Sequence, residues 1–215
     1  MAKDKSGGKR GGRQKGGVNP NDIVSTRDLI SERESQQEAV DATLTVLRDL
    51  YEEYGVTADQ IQLAKLKGSK AMGVLGYSDG YNVAINEKYF NSKAMDSAYE
   101  ASVKSGFHPS NGDKTGLQAV VAHEMGHRIT EVVSTKLGNR QVLDMESTSR
   151  QIVTEARKQT NHRGNIIFGS KISGYSTHSN AETIAEAVSD VYCNGKKAKA
   201  ESKAVVSVLK KYLSE

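Results

Sequence analysis

The hydrophobic positions of this chain recur mostly at helical spacing. Between Asn21 and Tyr54, apolar residues return every three or four positions among charged ones, which predicts one long helix or two in succession. The segment 114–137 has the strongest helical pattern, and apolar residues lie around most of its circumference, so we expect it to be buried. The same spacing predicts further helices over 88–104, 143–159, 181–193 and 200–213.

Shorter apolar runs near the middle of the chain predict strands. Residues 61–67 form one run, and 71–78 and 81–90 form two more, joined through a Ser-Asp-Gly turn that is typical of a hairpin. Because residues 81–87 alternate between apolar and polar positions, we expect a strand with one buried face. We predict that this strand is the edge along which an extended peptide would bind.

One further apolar run, residues 165–172, predicts another strand, followed by a loop over 173–180. Together the elements predict an α+β fold, with a small mixed or antiparallel sheet against a central helix. The 215 residues suit one domain. We expect it to span residues 21–215, with 21–56 as its N-terminal helical part.

Positive charge is concentrated at the start of the chain. Residues 1–17 hold six basic residues and one acidic residue, a net charge of +5, and the other 24 basic and 25 acidic residues leave the remainder at −1. Residues 1–20 contain too few apolar side chains to order themselves, so we expect a disordered basic tail. Such a tail is either a solvated terminus or an electrostatic arm for nucleic acid or an acidic partner.

The composition excludes several classes of protein. The single Cys193 rules out a disulfide framework and a zinc site built from several thiolates. No run is long enough to span a membrane, and no hydrophobic stretch follows the basic start as in a secretory signal. We therefore expect a cytoplasmic protein without a membrane partner. The sequence leaves its oligomeric state open.

The central helix carries the motif His123-Glu124-Met125-Gly126-His127. Histidines four positions apart lie on one helical face, so both imidazoles can bind one metal ion. Glu124 then points beside the metal, where it can take a proton from water. Gly126 lowers helix propensity and indicates close packing at that position. The pattern predicts one Zn²⁺ ion and hydrolytic chemistry. The alternative is that the motif occurs by chance, as it would in roughly one per cent of chains of this length and composition.

A catalytic zinc needs a third protein ligand, and residue 133 is Val, so the extended motif with a third histidine is absent. Downstream, Glu182, Glu186 and Asp190 stand at four-residue steps along one face of a predicted helix. Two assignments of these carboxylates, here called registers, are possible. Either Glu182 binds the metal and Glu186 orients a ligating histidine, or Glu186 binds and Asp190 supports it.

The segments HEMGH and ISGYSTHSNAETIAEA, taken together, resemble the anthrax lethal factor-like metallopeptidases. They resemble still more closely the metallopeptidases encoded in phage head-protein regions, and the resemblance covers roughly residues 70–192. It implies a zincin-like domain in which Glu182 is the third ligand and Glu186 supports the site. It also implies that Tyr175, seven residues before Glu182, donates its hydroxyl to the oxyanion of the transition state.

The remaining histidines and the cysteine have simpler interpretations. His178, between Tyr175 and Glu182, is a solvated loop residue or an auxiliary to the site. We expect His108 and His162 to be solvated in polar turns, and Cys193 to be half-buried at a helix end.

These observations predict a zinc endopeptidase that hydrolyses peptide bonds, with a protein or peptide substrate. The resemblance implies that it is phage-encoded, is found in the host cytoplasm or the virion, and acts in head assembly or on the host. The alternative is a non-catalytic assembly protein that zinc stabilises and whose basic tail contacts nucleic acid.

Overall fold

The computed structural model describes residues 23–24, 37–58, 60–66, 74–78, 82–138 and 142–215. The expected basic tail, residues 1–20, lies outside them. The strands are β1 (Ile23–Val24), β2 (Gln60–Ala64), β3 (Gly76–Ser78) and β4 (Asn82–Asn86). The helices are α1 (Gln37–Tyr54), α2 (Ser92–Lys104), α3 (Gly116–Lys136), α4 (Val142–Gln159), α5 (Asn165–Ile172), α6 (Asn180–Asn194) and α7 (Ala200–Ser214). Short 3-10 helices cover Glu87–Tyr89, Tyr175–Thr177 and Gly195–Lys197. The predicted α+β class is confirmed.

Helix α3 lies at the centre of the fold and contacts β3, β4 and five of the other helices. It begins with a capping box, in which the Thr115 hydroxyl accepts a hydrogen bond from the Gln118 amide and the Gln118 side chain accepts one from the Thr115 amide. Leu117, Val121 and Ile129 lie along the buried side of α3 and are at most 1 % exposed. Burying each such side chain stabilises the fold by about 1.5–3 kcal/mol.

The four strands form one mixed sheet in the order β1-β2-β4-β3. The antiparallel pairing of β3 with β4 agrees with the predicted hairpin. Strand β4 also pairs in parallel with β2, so it lies inside the sheet. The prediction that residues 81–87 form the edge is therefore wrong, and β3 is the outermost described strand on that side. The expectation of one buried face is also wrong, because the successive residues Val83, Ala84, Ile85 and Asn86 are all buried. Local alternation of residue types does not reveal the neighbouring strands and helices, which depend on long-range contacts.

Two other predicted elements differ from the structure. Ile23 and Val24 pair with Ala64 and Leu63 in the sheet instead of belonging to the first helix. Residues 165–172 form helix α5 and not a strand. Phe168 and Ile172 are buried four positions apart, whereas Ile166 and Ile167 are 71 % and 54 % exposed. A short apolar run does not distinguish a strand from a helix until its neighbours are known.

Candidate metal centre

Helix α3 presents the two histidines of the motif on adjacent turns. The ring centroids of His123 and His127 lie 5.1 Å apart, and His123 is only 8 % exposed. Glu124, which follows His123, is 5 % exposed. Placing these polar groups at such depth is costly unless they pair with one another or with an ion.

Helix α6 carries the third group of the centre. It begins at the cap residue Ser179, whose hydroxyl accepts a hydrogen bond from the Glu182 amide. The Glu182 side chain lies against the histidines of α3: its Oε2 is 3.2 Å from His123 Nε2 and 3.5 Å from His127 Nε2. The ligand atoms of the three residues all lie within 4.8 Å of one another, so the group can hold a metal ion.

This arrangement fits a divalent metal. Among the residues that the structure describes, Glu182 Oε2 is buried without a hydrogen-bond partner, as expected for an atom whose partner is a cation. Burial alone would raise the pKa of Glu182, but the imidazoles of His123 and His127 lower it well below its ordinary value. The carboxylate is therefore ionised, as a metal ligand must be.

Glu186, one helical turn beyond Glu182, is the carboxylate that supports the centre. Its Oε1 lies 2.7 Å from His123 Nδ1 and its Oε2 accepts a hydrogen bond of 2.7 Å from the Ser173 hydroxyl. Burial would raise the pKa of this carboxyl, but the hydrogen bonds with His108 and His123 lower it to about 2. Because an ionised carboxylate only accepts hydrogen bonds, His123 donates one through Nδ1. Its Nε2 is then left to face the position that a metal ion would occupy.

The structure therefore arranges the carboxylates as in the first of the two predicted registers. Asp190, which the second register needs as a supporting group, is directed elsewhere. Its Oδ2 accepts a hydrogen bond of 2.9 Å from the Lys199 amide and its Oδ1 one of 2.8 Å from the Asn194 side chain, so it links the end of α6 to the start of α7.

His108 belongs to the centre, contrary to the expectation of a solvated turn residue. Its Nδ1 lies 2.9 Å from Glu186 Oε1, and its side chain is 14 % exposed. The ring stacks on Tyr99 with a centroid distance of 5.4 Å. The turn sequence around His108 gives no local sign of this contact, because Glu186 is 78 residues away.

Tyr175 lies next to His123 and His108. Its ring is stacked 5.7 Å from that of His123. Burial, followed by the negative charge of Glu182, raises the pKa of Tyr175 above its ordinary value, so the hydroxyl keeps its proton and can donate a hydrogen bond.

Glu124 lies near His123, His127 and Glu182 and against strand β3. A Cβ on Gly76 would lie 2.7 Å from Glu124 Oε1 and 2.9 Å from Val120, so a side chain at position 76 would force Glu124 and Val120 to shift. Burial is the main cause that raises the pKa of Glu124 above its ordinary value. A buried carboxylate with a raised pKa is suited to accept a proton and return it.

A cavity of about 140 Å³ opens in front of Glu124 and Tyr175. Its walls are mostly apolar or aromatic, and the polar groups of His123, Glu124 and Glu186 also line it. This combination is typical of a binding site for an organic substrate. The walls include Val74, Leu75, Tyr99, Phe107, His108 and Val120.

The other residues considered from the sequence lie at or outside the edge of the centre. His178 is exposed, its ring lies 5.0 Å from that of Tyr175, and its Nδ1 contacts the Tyr175 carbonyl. His162 is not solvated as expected: it pairs with Glu201 at 2.8 Å, away from the centre. Cys193 is half-buried near the end of α6, as expected.

In the part of the chain that the structure describes, no helix has the length and apolar character needed to cross a membrane.

Comparison with models of known families, with curated proteins and with solved structures finds no match to this chain.

Proposed function

We propose that this chain is a zinc-dependent endopeptidase with a zincin-like fold. The observation that carries the proposal is the position of Glu182 Oε2, 3.2 and 3.5 Å from the Nε2 atoms of His123 and His127. Zinc bonds of about 2.0–2.2 Å in a tetrahedron separate neighbouring ligand atoms by about 3.3–3.6 Å. Two imidazoles and one carboxylate are also a donor set of hydrolytic zinc sites, which keep a fourth position for water.

The chain's own groups supply the remaining chemistry. His123, His127 and Glu182 would hold the zinc, whose contribution is to polarise the scissile carbonyl and to acidify the attacking water. Glu124 takes the proton from that water and delivers it to the leaving amine. The hydroxyl of Tyr175 donates a hydrogen bond to the oxyanion that develops on the carbonyl.

The edge of the sheet suggests how a substrate aligns. Of the two outermost described strands, β3 is the nearer to the centre, and its Gly76 lies against Glu124. A peptide in extended conformation beside β3 would place a backbone carbonyl next to the catalytic glutamate. The resemblance of the motifs supports a phage or host protein as the substrate.

The variant Glu124→Gln tests the proposal. It keeps the shape of the side chain but removes the base, so the zinc content should stay at one ion per chain while cleavage is lost. The zinc content per chain is measured by elemental mass spectrometry. Cleavage is measured by detecting the new chain termini that form when the protein is incubated with a mixture of denatured proteins. Full cleavage by the variant, or a wild-type chain that binds no zinc, would contradict the proposal.

The alternative of a zinc-stabilised assembly protein predicts a different result. In that case wild type and Glu124→Gln both bind one zinc ion, zinc raises the unfolding temperature of both, and neither yields new termini. The same set of measurements therefore separates the two functions.

A further inference from the structure

Two histidines from distant parts of the chain meet on one carboxylate oxygen. Glu186 Oε1 lies 2.7 Å from His123 Nδ1 and 2.9 Å from His108 Nδ1. The other oxygen of Glu186 accepts from Ser173, and the carboxylate is only 1 % exposed. All three partners can donate, so this buried charge is fully paired within the protein.

The shared oxygen determines which nitrogen of His108 carries a proton. Since the carboxylate accepts only, the Nδ1 of His108 donates, as does that of His123. The two N–H groups approach Oε1 from separate elements: His123 is on α3, and His108 is in the turn after α2. His108 therefore opposes rotation of the carboxylate away from His123.

The turn that holds His108 is itself fixed at several points. The amide of Gly174 donates to the Gly106 carbonyl at 2.8 Å, and the amide of Tyr175 donates to the Phe107 carbonyl at 2.9 Å. On the other side, the His108 ring stacks on Tyr99 with only 10° between the ring planes. These contacts hold the imidazole in one orientation.

We propose that His108 is a positioning residue of the metal centre: it holds Glu186 in the orientation in which Glu186 orients the ligand His123. The inference rests on the proposed zinc site but not on peptide cleavage. Loss of the hydrogen bond from His108 leaves Glu186 Oε1 with one donor in a buried environment, where a missing partner is costly. The carboxylate then reorients, and the direction of His123 Nε2 is less well defined.

The test compares zinc affinity in three single variants of the full chain by competition with a chelator. His108→Phe keeps an aromatic ring for stacking on Tyr99 but removes the donor. His108→Asn restores an N–H group at the position of Nδ1. His162→Phe is the matched control, because it breaks a histidine–carboxylate contact of 2.8 Å with Glu201, away from the centre.

We expect His108→Phe to bind zinc about 10–100-fold more weakly than wild type, the usual effect of removing a group that orients a ligand. His108→Asn should recover most of that loss, and His162→Phe should bind as wild type does. The visible spectrum of the cobalt-loaded protein should change in His108→Phe alone, which reports the ligand geometry independently of stability.

Equal zinc affinity in wild type and His108→Phe would overturn this inference and leave the proposed function intact. An equal loss in His108→Phe and His108→Asn, with unchanged cobalt spectra, would also overturn it, since packing and not the hydrogen bond would then be the cause. A wild-type chain without zinc affinity would overturn both proposals.

Discussion

Gly126 and Ala185 mark the point where α3 and α6 touch: a Cβ at position 126 would lie 2.7 Å from the Cα of Ala185 and 3.3 Å from the Cβ of Val188. The sequence predicted close packing here, and the structure confirms it. Ala185 lies between Glu182 and Glu186 on α6. The missing side chain at position 126 therefore lets both carboxylates reach the histidines.

Gly126→Ala should destabilise the protein although it improves helix propensity by about 1 kcal/mol. The added methyl group meets backbone, which cannot move locally, and overpacking of this kind costs about 1–3 kcal/mol. The free energy of unfolding in urea measures the effect, and zinc affinity should fall with it because Glu182 moves outward. Gly164→Ala is the control, since nothing lies within 4 Å of a Cβ there. A more stable Gly126→Ala protein would contradict the packing argument.

The two glutamates of α6 should respond differently to truncation. Glu182→Ala removes a ligand atom and should abolish stoichiometric zinc binding. Glu186→Ala leaves the three ligands in place and should weaken binding about 10–100-fold, because His123 loses its acceptor. Metal analysis after dialysis, followed by chelator competition, distinguishes the two cases. Loss of zinc in Glu186→Ala with retention in Glu182→Ala would reverse the assignment.

Tyr175→Phe should lower kcat without changing zinc affinity. The hydroxyl acts only when charge develops on the carbonyl, and removing one donor of this kind costs about 10²–10³-fold in kcat. The ring that stacks on His123 is kept, so the ligands should stay in position. Steady-state cleavage of a peptide and zinc competition are measured on the same preparations. An unchanged kcat would exclude the tyrosine from the reaction.

Cys193 should resist thiol reagents in the folded protein. Burial raises the pKa of its thiol to about 12. Only the thiolate reacts, so at pH 8 modification should be slower by at least about 10²-fold than for an ordinary cysteine, whose pKa is about 8.5. The rate should keep rising with pH above 9 instead of reaching a plateau. Timed alkylation followed by mass spectrometry, with urea-unfolded protein as the control, measures both effects. Rapid modification of the folded chain at pH 8 would show that the thiol is accessible.

The sequence by itself determined the local parts of the centre. Helical periodicity located α3, and the spacing of His123 and His127 placed both rings on one face, because four residues make about one helical turn. The same rule placed Glu182 and Glu186 on one face of α6. These relations span a few residues within one helix, so no knowledge of the tertiary structure is needed to predict them.

Tertiary structure decided which of these groups meet and what else joins them. Asp190 shares the four-residue spacing of the glutamates, yet it accepts hydrogen bonds from the Lys199 amide and the Asn194 side chain instead of contacting a histidine of the centre. His108 looked like a turn residue, but it donates to Glu186 across 78 positions. The prediction placed strand β4 at the edge of the sheet, but it pairs with both β2 and β3 and therefore lies inside the sheet. Each of these outcomes depends on contacts between distant segments, and such contacts leave no periodic signal in the sequence of either partner.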